Sequence, residues 1–161
     1  MTPSPPSEKN YDAVPLPALL HAIRGTYTDA VQRAQEKIGC GDVPASGEFI
    51  LSAMEWSGAS IESIVRFLGV TKQAVSQTVE TLVDRGYLER LRDPSDRRRI
   101  RLSLTSRGHD AGNAARFAIE QVDRELRARV GPQRIAHTRA TLVVLLEIKR
   151  RGDRATAMGA A

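Results

Sequence analysis

Residues 87–105 read YLERLRDPSDRRRIRLSLT and predict a β-hairpin with a charged tip. In residues 99–104 (RIRLSL) polar and apolar residues alternate, which is the period of a strand with one buried face. Residues 93–96 (DPSD) predict the turn, because proline fixes φ and aspartate side chains bond nearby backbone groups. The apolar positions expected to face a core are Ile100, Leu102 and Leu104, and those expected to face outward are Arg99 and Arg101.

The hairpin is rich in positive charge. Between residues 85 and 101 there are seven arginines against three acidic residues. The arginines are Arg85, Arg90, Arg92, Arg97, Arg98, Arg99 and Arg101. The whole chain carries a net charge of +5, with five basic and eight acidic residues in 1–70 and nineteen basic and eleven acidic residues in 71–161. This asymmetry indicates a nucleic acid or an anionic membrane as partner, and a solvated basic face is the alternative.

Composition excludes several classes of protein. The 161 residues suffice for one domain with a buried core, and the single cysteine excludes an intramolecular disulfide and a cysteine-rich zinc site. No apolar run approaches the length of a membrane span. No membrane-surface partner is expected either, because the arginines are scattered among aspartate and glutamate rather than clustered opposite one apolar face. The first ten residues, MTPSPPSEKN, lack the basic start and apolar core of a signal peptide, which predicts a cytoplasmic protein.

Apolar periodicity predicts helices on both sides of the hairpin. A helical stripe begins at Leu16, and a second helix with Phe49, Ile50, Met54 and Trp56 inward follows residues 44–47. Ser60 and Thr71 are expected to cap two short helices, and Gly86 is expected to end the second. Thr105 is expected to cap a long helix, which Gly131-Pro132 separates from the last one.

These elements predict a mainly α fold with a small β-hairpin wing. Residues 1–12 and 152–161 are expected to be flexible tails around a single domain, 13–151. Within that domain two short helices, a tight turn and a hairpin have the order of a winged helix-turn-helix core.

The second helix of such a core reads the major groove with its N-terminal residues. Here that end carries side chains able to bond bases or phosphates, whereas an ordinary polar helix surface is the alternative. The side chains are those of Thr71, Lys72, Gln73, Ser76 and Gln77.

Residues 60–108 resemble the DNA-binding core of MarR-family transcription regulators. The resemblance covers the turn and second helix, LGVTKQAVSQTVETLVDRGYLER (68–90), and the wing, DPSDRRRIRLSLTSRG (93–108). The wing is the more specific part. The wing positions that fall at the family's spacing are Asp96, Arg98, Leu104, Thr105 and Gly108.

The resemblance implies a sequence-specific, homodimeric regulator of transcription that binds double-stranded DNA at a near-palindromic operator, usually as a repressor that a small ligand releases. It implies a winged core at about 45–108 and dimerisation helices at about 15–38 and 106–151. The alternative is a winged-helix architectural or protein-interaction module without promoter-specific control. Either would be a binding protein, because no nucleophile–base pair, phosphate loop or paired carboxylate appears and neither an enzyme nor a cofactor is expected.

The resemblance also implies roles for single residues. Arg98 matches the wing arginine that enters the minor groove, Asp96 matches the acid that braces it, and Arg97 is expected at phosphate or solvent. In the second helix, Lys72, Gln73, Ser76 and Gln77 match the reading positions, although relatives often have arginine at position 77.

Three further sets of residues leave alternatives open. Cys40 is either an incidental cysteine or a redox sensor, and it lies after the first helix rather than near its start, where sensing members of the family carry theirs. Tyr27, Phe49, Met54 and Trp56 either fill the core, the commoner role, or border a ligand pocket. The three histidines, His21, His109 and His137, are scattered along the chain and predict no metal site. His21 either lines a pocket or is exposed.

Overall fold

The computed structural model describes Tyr11 and residues 13–58, 60–68, 71–92 and 100–159. These residues form six helices and one hairpin, which confirms the predicted mainly α fold with a small wing. In chain order the elements are α1 Leu16–Glu36, α2 Ala45–Ser57, α3 Ile61–Leu68, α4 Lys72–Asp84, β1 Leu88–Arg92, β2 Ile100–Leu104, α5 Ser106–Val130 and α6 Pro132–Gly159.

The predicted helix caps are present. The side-chain oxygen of Ser60 accepts a hydrogen bond from the Ser63 N–H at 3.3 Å, and that of Thr71 accepts one from the Ala74 N–H at 3.2 Å. At the start of α5, Thr105 Oγ1 accepts from the backbone N–H of residue 108 at 3.0 Å. Each cap satisfies an amide of a first helical turn that has no partner within the helix.

The main hydrophobic core lies where α2, α3, α4 and the hairpin meet. Its buried side chains come from each of these elements and from the start of α5. They include Ile50, Leu51, Ile64, Val75, Val79, Leu82, Tyr87, Leu88, Leu104 and Ala111. Since each large aliphatic side chain contributes roughly 1.5–3 kcal/mol when buried, this cluster holds α4 and the hairpin in place.

The strands of the hairpin pair antiparallel, with Leu88 opposite Leu104 and Arg92 opposite Ile100. Exposure grows toward the tip: Leu104 is buried, Leu102 is half-buried, and Ile100 is 69% exposed. The expectation that Ile100 faces a core is wrong, because the hairpin extends past the side chains that cover its base. The expected burial is confirmed for Leu104 and in part for Leu102, and Arg101 is exposed as expected.

A second buried cluster joins the first half of α5 to α1. Ala115 and Ala118 pack against Val31, and all three are buried. Small side chains allow the two helices to approach closely, and the Gln35 amide donates a buried hydrogen bond to the carbonyl oxygen of Ala111 at 3.3 Å.

The chain divides into two compact units, one up to Val122 and the other from Asp123 onward. In the second unit α5 ends at Val130, Gly131 takes a φ of +80°, and α6 begins at Pro132. Whereas the sequence predicted a flexible tail at 152–161, α6 continues to Gly159. A single internal glycine such as Gly152 lowers helix stability by only about 1 kcal/mol, so the helix continues through it.

Within the described residues no helix is both long and apolar enough to cross a membrane. Apolar side chains of α6 are instead exposed on the single chain. They are Leu142, Val143, Val144, Leu145, Leu146 and Ile148, each between 36% and 61% exposed.

Candidate nucleic-acid interface and adjoining cavity

Helix α4 has one buried face and one exposed face. Val75, Val79 and Leu82 are buried in the core. The hydroxyl oxygens of Thr78 and Ser46 lie 3.0 Å apart and add a polar contact between α4 and α2. The opposite face of α4 is thereby fixed toward solvent.

The structure places the predicted reading residues as follows. Gln73, Ser76 and Gln77 are exposed on one side of α4, and Thr71 is an exposed N-cap. The side chain of Lys72 and the whole of residues 96–98, which include Asp96, Arg97 and Arg98, lie outside the described residues. The structure thus brings together the reading positions of the helix, and the roles assigned to the wing tip stay predictions.

The wing is tied to α4 by charge. The guanidinium of Arg90 on β1 forms a hydrogen-bonded ion pair with the Glu80 carboxylate on α4, and this interaction raises the pKa of Arg90. Farther out, Arg92 and Arg101 are exposed. The described arginines of the hairpin therefore differ in role, since Arg90 orients the wing against α4 while Arg92 and Arg101 face solvent.

The base of the wing is joined to the loop between α1 and α2. The Tyr87 hydroxyl donates to Asp42 Oδ1 at 2.5 Å, and Arg107 Nη2 donates to the same oxygen at 2.7 Å. The Arg107 guanidinium lies over the Tyr87 ring at 4.5 Å, and Arg85 donates to the Asp42 carbonyl oxygen. The hydrogen bond from Tyr87, more than the charge of Arg107, lowers the pKa of Asp42. Sequence analysis missed this cluster, because 45 residues separate Asp42 from Tyr87.

A cavity of about 630 Å³ lies behind α4. Its walls come from α1, α2, α4 and Ile119 of α5, so α4 forms one of its sides. The α4 residues in the wall are Ala74, Val75 and Thr78. Its volume falls in the range of small-molecule sites, which are typically 300–1,000 Å³.

Aromatic side chains line this cavity. Tyr27, Phe49 and Trp56 are all in its wall, whereas Met54 packs against the core. A core role, and the inward orientation expected on α2, are wrong for Phe49 and Trp56, which are 41% and 56% exposed. Both are exposed residues of the cavity wall, whereas Leu51 lies on the buried face of α2 and Ile50 is buried but also borders the cavity. Their spacing alone could not separate the two faces.

The cavity also contains one acidic and one basic side chain, Glu48 and Arg24. Burial raises the pKa of the Glu48 carboxyl to about 7, and Arg24 partly offsets this. Glu48 is half-buried and Arg24 is exposed. Sequence reasoning had singled out neither residue.

The remaining candidates lie apart from this region or are buried. Cys40 is 4% exposed, and because a sensing thiol needs access to solvent, its burial favours the incidental interpretation. His21 is exposed and not in the cavity wall, while His109 lies 2.6 Å from a carboxylate oxygen of Glu55. Among the described residues, no group of three or more histidine, cysteine or acidic side chains is placed to hold a metal ion.

Residues 50–99 match the model of the MarR family. The matched segment runs from within α2 to the wing and so contains the whole of α3 and α4. The match bears out, over these residues, the resemblance drawn from the sequence.

Two curated proteins are similar to parts of the chain. The HTH-type transcriptional regulator YdcH of Bacillus subtilis is 41% identical over 49 residues, which are 30% of this chain and 33% of that protein. PetP of Rhodobacter capsulatus, also an HTH-type transcriptional regulator, is 29% identical over 94 residues, which are 56% of this chain and 54% of that protein. The chain therefore spans about a third of the length of YdcH and about half of the length of PetP.

Solved structures share the fold. The complex of MepR from S. aureus with DNA has a TM-score of 0.66 at 18% identity, and the comparison covers 83% of this chain and 98% of MepR. Reduced MarR from E. coli has a TM-score of 0.58 at 24% identity, covering 83% of this chain and 97% of that one. At these identities the likeness establishes the winged-helix fold of MarR proteins.

Proposed function

We propose that this chain, whose residues 50–99 carry a MarR-family winged-helix core, is a sequence-specific regulator of transcription that binds double-stranded DNA. The observation that carries the proposal is the orientation of α4. Its inner face is fixed in the core, and its outer face presents Gln73, Ser76 and Gln77 beside a hairpin tied to it through Arg90. Glutamine can bond adenine through two hydrogen bonds in the major groove.

The proposal includes a homodimer acting at a near-palindromic operator. Support comes from the exposed apolar side chains of α6, because such a surface is unfavourable in water and suits a second copy of the same chain. Two-fold symmetry would place two α4 helices about 34 Å apart, one turn of DNA.

The proposal also includes a cytoplasmic repressor that a small ligand releases from DNA. The cavity behind α4 supports this part. An occupant would touch Ala74, Val75 and Thr78, and it would bias the position of the helix whose other face reads DNA.

Selection from a random library of DNA duplexes tests the proposal. We expect the protein to enrich an inverted repeat and to bind it at least about a thousandfold tighter than random duplex at fixed salt. Replacing both Gln73 and Gln77 by Ala should relax the enriched sequence, while replacing the exposed Glu147 by Gln should leave it unchanged. A cognate-to-random ratio near one would favour the alternative, an architectural or protein-interaction module.

A further inference from the structure

The cavity behind α4 has a specific chemical character. Its wall is mostly apolar and includes three aromatic side chains, of which Phe49 and Trp56 keep 41% and 56% of their surface exposed. Part of the surface of Phe49 and Trp56 is thus accessible in a concave site. Aromatic faces are electron-rich, and they attract organic cations most strongly where water is excluded.

The acidic group of the cavity lies in line with this aromatic surface. Glu48, Ser52 and Trp56 follow each other at four-residue intervals on α2, so all three occupy one helix face over about 12 Å. The Ser52 hydroxyl donates to the backbone carbonyl oxygen of Glu48 at 2.7 Å and so does not serve the carboxylate. A flat ring lying along this face would meet the carboxylate at one end and Trp56 at the other.

We propose that the cavity binds flat, apolar organic cations, with the Glu48 carboxylate as counter-charge and Tyr27, Phe49 and Trp56 as the surfaces that contact the rings. The part of this inference that has such a ligand release the protein from DNA rests on the proposed function. The binding of the ligand itself is argued from the cavity alone.

Above a pH near 7, where the Glu48 carboxylate is ionised, the charges of the wall favour a cation over an anion. Arg24 is exposed and screened by water, whereas Glu48 is half-buried, and a charge acts more strongly where the surroundings are less polar. Burial leaves the Glu48 carboxylate poorly solvated and so raises the pKa of Glu48. A bound cation would supply that missing stabilisation.

Binding of a cation should therefore drive a proton from the cavity. Among the described wall residues, the other titratable or charged groups are Arg24 and Tyr27 of α1, while α4 and α5 contribute Ala74, Val75, Thr78 and Ile119, which do not titrate. At a pH near 7, where Glu48 is about half protonated, a cation without a titratable proton should release about half a proton per site.

Two ligands of the same shape and opposite charge test the inference. The cation is N-methylacridinium and the anion is anthracene carboxylate. Binding to the full chain without DNA is followed by calorimetry and by the fluorescence of Trp56, the only tryptophan in the chain. At about pH 8 we expect the cation to bind at least about tenfold tighter than the anion. Near pH 7, calorimetry in buffers of different ionisation enthalpy should show the released proton.

Matched variants assign the effect to one carboxylate. Glu48→Gln should weaken cation binding at least about tenfold and abolish proton release, while Glu89→Gln, which removes the same charge from exposed β1, should match the wild type. Circular dichroism shows that each variant is folded.

Tighter binding of the anion, lost in Arg24→Gln, would overturn the inference and define an anion site. Unchanged cation binding by Glu48→Gln would overturn it as well. Neither result depends on DNA, so a failure of the duplex selection is distinguishable from a failure here.

Discussion

The hydroxyl group of Tyr87 lies 2.5 Å from Oδ1 of Asp42 and joins the base of the wing to the loop that follows α1. Tyr87 is fully buried, and the bond favours the ionised form of Asp42, whose pKa it lowers. The Asp42 carboxylate thus helps to hold together two regions that are distant in sequence.

Tyr87→Phe should lower the free energy of unfolding by about 1–2 kcal/mol near neutral pH, since it removes a hydrogen bond to a charged group. The folded state binds the Asp42 proton less readily than the unfolded state, so this stabilisation is present above a pH near 3.8 and is lost as the pH falls further. Urea unfolding at neutral and acidic pH measures both effects. Tyr11→Phe, at an exposed position, is the control, and an equal loss in both variants would contradict the prediction.

Gly108→Ala should lower the free energy of unfolding by about 1–3 kcal/mol. A Cβ at this position would overlap the carbonyl oxygen of Tyr87 and lie 3.1 Å from Leu104 Cδ2. The overlap is with a backbone atom, which cannot move aside as easily as the end of a flexible side chain. In Gly152→Ala the new Cβ meets no atom within 4 Å, so the helix should gain up to about 1 kcal/mol. Thermal unfolding compares the two, and a stable Gly108→Ala protein would refute the close approach.

Glu48→Gln should stabilise the protein at alkaline pH and leave it unchanged at acidic pH. The folded state holds the Glu48 proton up to a pH near 7, whereas the unfolded chain releases it near 4.5, so wild-type stability falls between these values as pH rises. Because water screens a half-buried group, the gain at about pH 8 should be about 1 kcal/mol. Unfolding curves at about pH 4 and pH 8 measure it, and equal gains at both would show that the carboxylate is not desolvated.

Arg98→Ala should weaken binding to the selected operator by about 1–3 kcal/mol and relax its preference for A·T pairs beside the inverted repeat. The neighbouring variant Arg99→Ala removes the same charge and should weaken cognate and random duplexes alike. Fluorescence anisotropy at several salt concentrations separates the two effects. Equal, sequence-independent losses in both variants would contradict the assignment of Arg98 to the minor groove.

Leu145→Glu on α6 should convert the proposed dimer to a monomer, because it places a charge among apolar side chains that a second copy would cover. Gln133→Glu, at an exposed position near the start of the same helix, adds the same charge and should leave the assembly unchanged. Sedimentation equilibrium distinguishes the two. A wild-type monomer at micromolar concentration would refute the dimer.

Local sequence signals predicted much of the fold. Thr71 and Thr105 cap their helices, Gly86 ends α4 with a φ of +72°, and Gly131 precedes α6, all as their residue types indicate. Such signals act over three or four residues and so can be read directly from the chain. Ile100 shows their limit, since alternation gives the side of a strand and not how far the core extends along it.

The candidate sites depended on contacts that local patterns do not encode. The exposed positions of α4 follow from helical periodicity, and Gln73 and Gln77 are where it places them. The cluster around Asp42 and the cavity around Glu48 bring together residues from helices and loops that are distant in sequence. Their composition follows from tertiary packing, which a single sequence leaves open.

The wall residues and the outward residues of α4 are interleaved within six positions: Ala74, Val75 and Thr78 border the cavity, and Gln73, Ser76 and Gln77 face away from it. A helix is only about 10 Å across, so effector and operator would be separated by the thickness of a single element. The residues that contact the effector and those that contact DNA would then be encoded by one short segment of the gene. Under both proposals, a lineage that acquires a new inducer has little room to do so without also revising the promoters it controls.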